Sequence, residues 1–300
     1  MLGATGEPVR GNATTVFREW QEVHPSCTLV IWLQSLGHGH SHSHEQQPLI
    51  NLLRNEVGKG EMMTAARYPQ VIAHRGASRR EPENTLAAFR TAGEIGSDAV
   101  ELDVRRLADG ELVVMHDAHL ANGRSLVTLT RNEIPESVPT LSLALDACEG
   151  MWVNIEIKND PSEPDYDPHD LVAERVAKLL HDRGESERWL VSSFRRETIV
   201  AMRDLAPNVR TAWLMTHCDA RGVKALAQAL ASEGHSALHP WHKSVTQEML
   251  NEFHQQGMSV NCWTCDDEGD MERLIEWGID GICTNVPDVA LHVRQSLLRE

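Results

Sequence analysis

The residues best suited to chemistry in this sequence stand in pairs one residue apart. Glu101 and Asp103 lie at i and i+2 within the β-rich run AVELDVR, which puts both carboxylates on one face of a strand. Two carboxylates on a buried face repel each other, and a divalent cation between them is the simplest relief. Glu156 and Lys158 repeat the spacing in NIEIK, adding a third carboxylate and a cation. His74-Arg75-Gly76 closes another β-rich run, VIAH. His116 enters through a hairpin: with Asp109-Gly110 as two central turn residues, paired positions sum to 219 and His116 falls opposite Asp103. Oxygen donors in this number favour Mg2+ or Ca2+ over zinc. Arg75 and Lys158 point to an anionic substrate, because two cations beside a metal otherwise have nothing to neutralise. A metal, two cations and the imidazoles of His74 and His116 form a layout for phosphoryl transfer with general acid–base catalysis.

Positioning these groups requires strand ends gathered at one place. From residue 70 onward, β-rich runs at 71–74, 99–105, 111–116, 152–157, 189–193, 211–215, 236–239, 259–264 and 280–284 alternate with amphipathic segments at 83–95, 169–183, 195–205, 220–233, 245–256 and 267–277. Such alternation indicates a parallel sheet with crossover helices. Counting 111–116 as a hairpin extension leaves eight strands, and the span suits an α/β chain folded as a (β/α)8 TIM barrel, whose functional side chains cluster where strands end. Glu83 and Asn84 are expected to cap the first helix and support the site.

Composition removes other classes. Lys plus Arg number 28 and Asp plus Glu 44, and the resulting net charge of −16 repels nucleic acid and anionic membrane surfaces alike. The longest N-terminal apolar run, 27–33, is far below a membrane span and lacks the flanks of a signal peptide. Six scattered cysteines suit a reducing compartment, so a cytoplasmic location without membrane insertion is expected. Cys262 and Cys265 form a C-x-x-C with no second pair nearby and are read as packing residues, as is Cys283.

The stretch VIAHRGASRREPENTLAAFRTAGEIGSDAVELDVRRLADGELVVMHD resembles the glycerophosphodiester phosphodiesterase family, with HRG, PENT, ExD, Asp-Gly and HD in order. NIEIK, VSSF, WT and ICTN extend the similarity over roughly 70–290, and the compact cytoplasmic bacterial enzymes are the nearest kind. The resemblance implies a TIM barrel of the phospholipase-C-like phosphodiesterase type. It makes His74 and His116 the acid–base pair, Glu101, Asp103 and Glu156 the ligands of Mg2+ or Ca2+, and Arg75 and Lys158 phosphate contacts, with Trp263 beside the glycerol pocket. The implied reaction cleaves a glycerophosphodiester to sn-glycerol 3-phosphate and an alcohol, through attack by the glycerol 2-hydroxyl and a cyclic phosphate that water opens. After His116-Asp117 the family's Arg-Thr-Thr-like segment and insertion are replaced by a short stretch, AHLANGRSLVTLTRNEIPESVPTL, so the resemblance leaves the alcohol open. Two rivals are a lysophospholipase D with the same catalytic set, which needs an apolar rim, and a non-catalytic barrel that binds phosphate esters, which predicts loss of a site residue.

Residues 1–69 lack sustained periodicity and are read as a disordered N-terminal extension ahead of a 70–300 catalytic barrel. The tract His38–His44 is read as polar with incidental metal affinity. Lys59-Gly60-Glu61 before Met62-Met63 is encodable by a purine-rich run resembling a ribosome-binding site, so translation is expected to start at one of these methionines. A native species at the full 33.5 kDa would refute that expectation.

Overall fold

The computed structural model describes residues 69–218 and 220–298. The N-terminal extension, the His38–His44 tract and the Met62 or Met63 start lie outside the described residues.

Strands β1 (Gln70–His74), β2 (Ala99–Arg106), β4 (Trp152–Ile157), β5 (Trp189–Ser193), β6 (Arg210–Met215), β7 (Ala237–Pro240), β8 (Ser259–Cys262) and β9 (Gly281–Thr284) pair in parallel, and β1 joins both β9 and β2 to close the barrel. Between β2 and β4 comes the short β3 (Leu112–Val114), antiparallel to β2. Helices α1 (Leu86–Ile95), α2 (Leu141–Ala147), α3 (Leu171–Arg183), α4 (Arg196–Leu205), α5 (Val223–Ser232), α6 (Gln247–Gln255), α7 (Glu268–Glu276) and α8 (Pro287–Leu297) follow the parallel strands, so the expected (β/α)8 barrel is what forms. Two of them, α2 and α8, fall outside the segments expected to be helical. The seven residues of α2 are too few for a 3.6-residue period to stand out, and α8 buries mainly Pro287, Ala290 and Val293, a weak apolar stripe.

Two large apolar clusters hold the strands' outward faces against the helices, one around Phe89, Leu102, Ile155 and Trp189 and another around Leu238, Phe253, Val260 and Ile282. Inside the barrel the apolar filling is thin: Ile72, Ala99 and Cys283 in one small group, and Leu190, Ala212 and Ala237 in another, both against Trp152. The inward face is otherwise polar toward the strands' C-terminal ends, with Glu101, Asp103, Asn154, Glu156, Ser192, His239 and Asn261 all buried. A barrel interior filled with charge rather than Val and Leu gives up packing energy, which marks that end as the working end.

The hairpin differs from its expected register. Val104 faces Val114 and Arg106 faces Leu112, so paired positions sum to 218 and Asp103 bonds to Met115 rather than to His116. Gly110, with φ +86°, adds a third residue to the loop, and Ala108, Asp109 and Gly110 together turn the chain between Leu107 and Glu111. The ladder ends at Val114, so His116 stands beyond it. β1 pairs with β2 only through Glu101, and β3 takes the same edge from Val104 onward. The long β2 thus runs past the barrel rim, and β3 brings the chain back down to it.

Candidate active site

The loop after β1 supplies the first side chains. Arg75 and Asn84 have positive φ (+56° and +58°), a conformation costly for residues with a Cβ, and the Asn84 N–H donates to the Arg75 carbonyl at 3.0 Å. Between them Gly76 (φ +81°) lies so near α1 that an added Cβ would sit 2.7 Å from the Ala88 backbone. Thr85, not Glu83 or Asn84, caps α1 by accepting from the Ala88 N–H. Asn84 instead donates Nδ2–H to Asp103 Oδ2 at 2.8 Å, and Glu83 pairs with Arg75. Both residues therefore support the site, but through side chains rather than as a cap.

Glu101, Asp103 and Glu156 converge, with one oxygen from each within 4.8 Å of the others, and all three are buried. Glu101 Oε2 accepts the Arg75 backbone N–H at 3.0 Å, whereas Oε1 is buried with no hydrogen-bond partner. Lys158 Nζ lies 3.0 Å from Asp103 Oδ1 and 2.5 Å from Glu156 Oε1, and Arg75 Nε is 3.2 Å from Asp103 Oδ2. Burial, then repulsion from Asp103 and Glu156, raises the Glu101 carboxyl well above the usual range. Burial also pushes Asp103 upward, but Lys158 and Arg75 outweigh it and hold that carboxyl low. Glu156 is raised by burial against the attraction of Lys158. A cluster of carboxylate oxygens, one orphaned and one holding its proton too tightly, fits a hard divalent cation: a Ca2+ sphere is about 5 Å across between opposite oxygens and a Mg2+ sphere about 4 Å.

Burial and the neighbouring Arg75 lower the pKa of His74. Its tautomer follows from its partners. Asn285 gives Nδ2–H to Asp266 Oδ2 at 2.7 Å, so the amide oxygen faces His74 Nδ1 at 2.7 Å and must accept from it. The lone pair is therefore on Nε2, 3.9 Å from Glu101 Oε2. His116 has its Nδ1 2.8 Å from Asp117 Oδ1, an acceptor, and its side chain is 38% exposed.

A cavity of about 240 Å³ joins these groups: His74, Arg75, Glu101, His116, Glu156, Lys158 and Trp263 all line it. Trp263 donates Nε1–H to the His239 carbonyl at 2.8 Å and meets the Phe194 ring edge-on at 5.3 Å. Of the residues expected from sequence to act on substrate or metal, Asp103 does not line the cavity but belongs to the carboxylate cluster, and the supporting Glu83 and Asn84 lie outside its lining as well. A second cavity of about 290 Å³ adjoins it, shares Glu156, Lys158 and Phe194, and reaches Asp160, Glu163 and Arg195.

The glycerophosphoryl diester phosphodiesterase family model matches residues 74–289, a span that begins at His74 and takes in every group just described. The chain belongs to this family. With the family goes the enzyme class, phosphoric diester hydrolase. A glycerophosphodiester phosphodiesterase of Caldanaerobacter subterraneus is 33% identical over 243 residues, covering 74% of this chain and 96% of that protein. One from Bacillus subtilis is 30% identical over 268 residues, covering 79% and 90%. Among solved structures, a glycerophosphoryl diester phosphodiesterase of Silicibacter pomeroyi superposes with a TM-score of 0.68 at 27% identity, covering 77% of this chain and 94% of the other. The fold is shared too with an Oleispira antarctica phosphodiesterase solved with its product sn-glycerol-3-phosphate, at a TM-score of 0.68 and 24% identity over 76% and 97% of the chains.

Sequence reasoning passed over several residues that hold this site. Asn285 and Asp266 set the His74 tautomer, and Asn285 directly follows β9, where the rule of functional strand ends applies. Arg105 continues the Glu101 and Asp103 face and is buried, yet in a sequence it reads as part of a basic pair. His239 and Asn261 form the cavity floor, with Asn261 Nδ2 and His239 Nε2 3.0 Å apart. The Cys262 and Cys265 thiols are buried and pushed upward by that burial, Cys265 to about 12, which agrees with the packing role expected for them. Among the described residues, no helix is long and apolar enough to cross a membrane.

Proposed function

We propose that this enzyme hydrolyses glycerophosphodiesters such as glycerophosphocholine and glycerophosphoethanolamine to sn-glycerol 3-phosphate and the free alcohol, with Mg2+ or Ca2+ held by Glu101, Asp103 and Glu156. A cluster of three buried carboxylates, two of them lining one cavity together with the imidazoles of His74 and His116, carries the reading. A bound cation would offset charge on the phosphoryl oxygens. Arg75 and Lys158, which now neutralise the carboxylates, become free to meet the phosphate when a cation takes that task. His74 Nε2, with its lone pair available, removes the proton from the glycerol 2-hydroxyl, and that oxygen attacks phosphorus. His116 protonates the departing alcohol, leaving a five-membered cyclic phosphate that water opens with the two roles reversed. An attached nucleophile gains effective molarity, which makes the glycerol group a requirement. Trp263 and Phe194 offer the glycerol carbons an apolar wall. Buried thiols and a small cysteine count fit a cytoplasmic setting.

The test is release of glycerol 3-phosphate from both diesters with Mg2+, Ca2+ or EDTA. Turnover that needs a divalent cation supports the proposal, whereas absent or EDTA-insensitive turnover on both overturns it.

A further inference from the structure

Arg105 is the largest charged side chain sealed inside the fold, with 1% of its side-chain surface exposed. A buried guanidinium must be matched donor by donor, and its partners are specific. Nε and Nη2 both donate to one backbone carbonyl, that of His116, at 2.8 and 2.6 Å. Nη1 grips both oxygens of Asp165 at 2.9 and 2.7 Å, and Nη2 donates to Glu163 Oε1 at 2.9 Å. Asp165 is itself nearly buried, whereas Glu163 lines the adjoining cavity.

This grip falls where the sheet stops supporting the chain. Past the end of the ladder at Val114, the Met115 N–H still donates to the Asp103 carbonyl, and His116 follows it. Arg105 sits two residues beyond Asp103 on the same face of β2. One rigid strand therefore carries two carboxylates of the cluster and, next along it, the fork that holds the His116 backbone. We infer that Arg105 is a positioning residue for His116, setting the imidazole's distance from the reacting phosphate through that forked bond and tying it to the Glu163–Asp165 loop. The inference rests on His116 being the acid that protonates the leaving alcohol.

A positioning role predicts a signature that mere support of the fold does not. Single-turnover rates of alcohol release, which precede the ring opening that also uses His116, are measured on glycerophosphocholine, whose alkoxide must be protonated as it leaves, and on the 4-nitrophenyl ester of glycerol 3-phosphate, whose phenolate leaves without a proton. Arg105→Met should lower the release rate on glycerophosphocholine by about 10- to 100-fold, the scale of a misplaced catalytic group, with steady-state KM changed by less than about threefold. On the nitrophenyl ester the loss should stay within about threefold, and Arg105→Lys should recover part of the lost rate, because an ammonium keeps the charge but not the fork. Asp165→Asn loosens the same grip with little change in volume and should show the same bias if Arg105→Met does not fold. His116→Ala is run alongside. If it slows both substrates equally, the acid assignment fails and the inference with it. If His116→Ala discriminates between the substrates while the Arg105 and Asp165 variants do not, the positioning role alone is overturned.

Discussion

Replacing Glu101 with Gln should stabilise the cation-free protein while weakening its response to a cation. Two unit charges 4.8 Å apart, the limit separating the clustered oxygens, repel by about 3.5 kcal/mol at an effective dielectric near 20. Glu101 faces two such neighbours, but Lys158 and Arg75 neutralise most of Asp103 and Lys158 most of Glu156. What is left, with the cost of burying the charge, comes to about 2 kcal/mol, which for a barrel of this size is about 4–8 °C in Tm. Glutamine keeps an oxygen for the Arg75 N–H, so the loop after β1 retains its anchor. The sign with pH follows from the raised Glu101 carboxyl: native wild type binds the proton more tightly than unfolded chain, so its stability is greatest at low pH and falls as pH rises through the native value. The advantage of Glu101→Gln should accordingly be full at pH 8 and shrink toward pH 5. Calorimetry in EDTA at several pH values measures this, and repetition with millimolar Mg2+ or Ca2+ should raise the wild-type Tm by more than that of the variant. A variant less stable than wild type in EDTA at pH 8, or one gaining as much from the cation, would refute the charge argument.

Gly76→Ala should cost about 2–4 kcal/mol, since the new Cβ meets the Ala88 backbone and the residue has φ +81°; a denaturant midpoint within error of wild type would contradict it. Asn84→Gly tolerates the φ of +58° but deletes the hydrogen bond to Asp103, so stability should fall by about 1–2 kcal/mol and calorimetric titration should show weaker cation binding. His239 is fully buried, and burial lowers its pKa from 6.5 to about 3. Between those values the unfolded imidazole takes a proton that the native one refuses, so wild-type stability should drop by up to about 1.4 kcal/mol per pH unit as pH falls. Urea unfolding of His239→Gln should show a shallower acid limb, and parallel limbs for the two proteins would exclude His239 as the source.

Alternation along a strand is a local rule, and for that reason Glu101 with Asp103 and Glu156 with Lys158 could be paired before any fold was known. The count of β-rich runs and intervening amphipathic segments led to the barrel for the same reason, since each run's period is written in its own neighbours. His74 followed from standing at a strand end, whereas Trp263 came from the family resemblance alone. The hairpin register was harder: whether Asp109-Gly110 makes a two- or three-residue loop depends on the αL conformation Gly110 adopts, which its identity permits but does not dictate. His116 reached the cavity all the same, carried there by the returning chain.

Residue types, their two-residue spacing and the motif order were enough to determine the barrel, the family and the groups around its mouth. Only the tertiary structure decided which oxygen is orphaned, which imidazole nitrogen bears the proton, and that Arg75 and Lys158 lie against the carboxylates. It also turned Arg105 from one of two adjacent arginines into the buried fork holding His116. Those properties depend on partners up to 211 residues away along the chain, Arg105 to His116, Asn84 to Asp103 and His74 to Asn285 among them, and on burial that multiplies each charge's effect. Neither is a property of any local stretch of sequence, because both arise only when β1, β2, β4 and β9 close the ring.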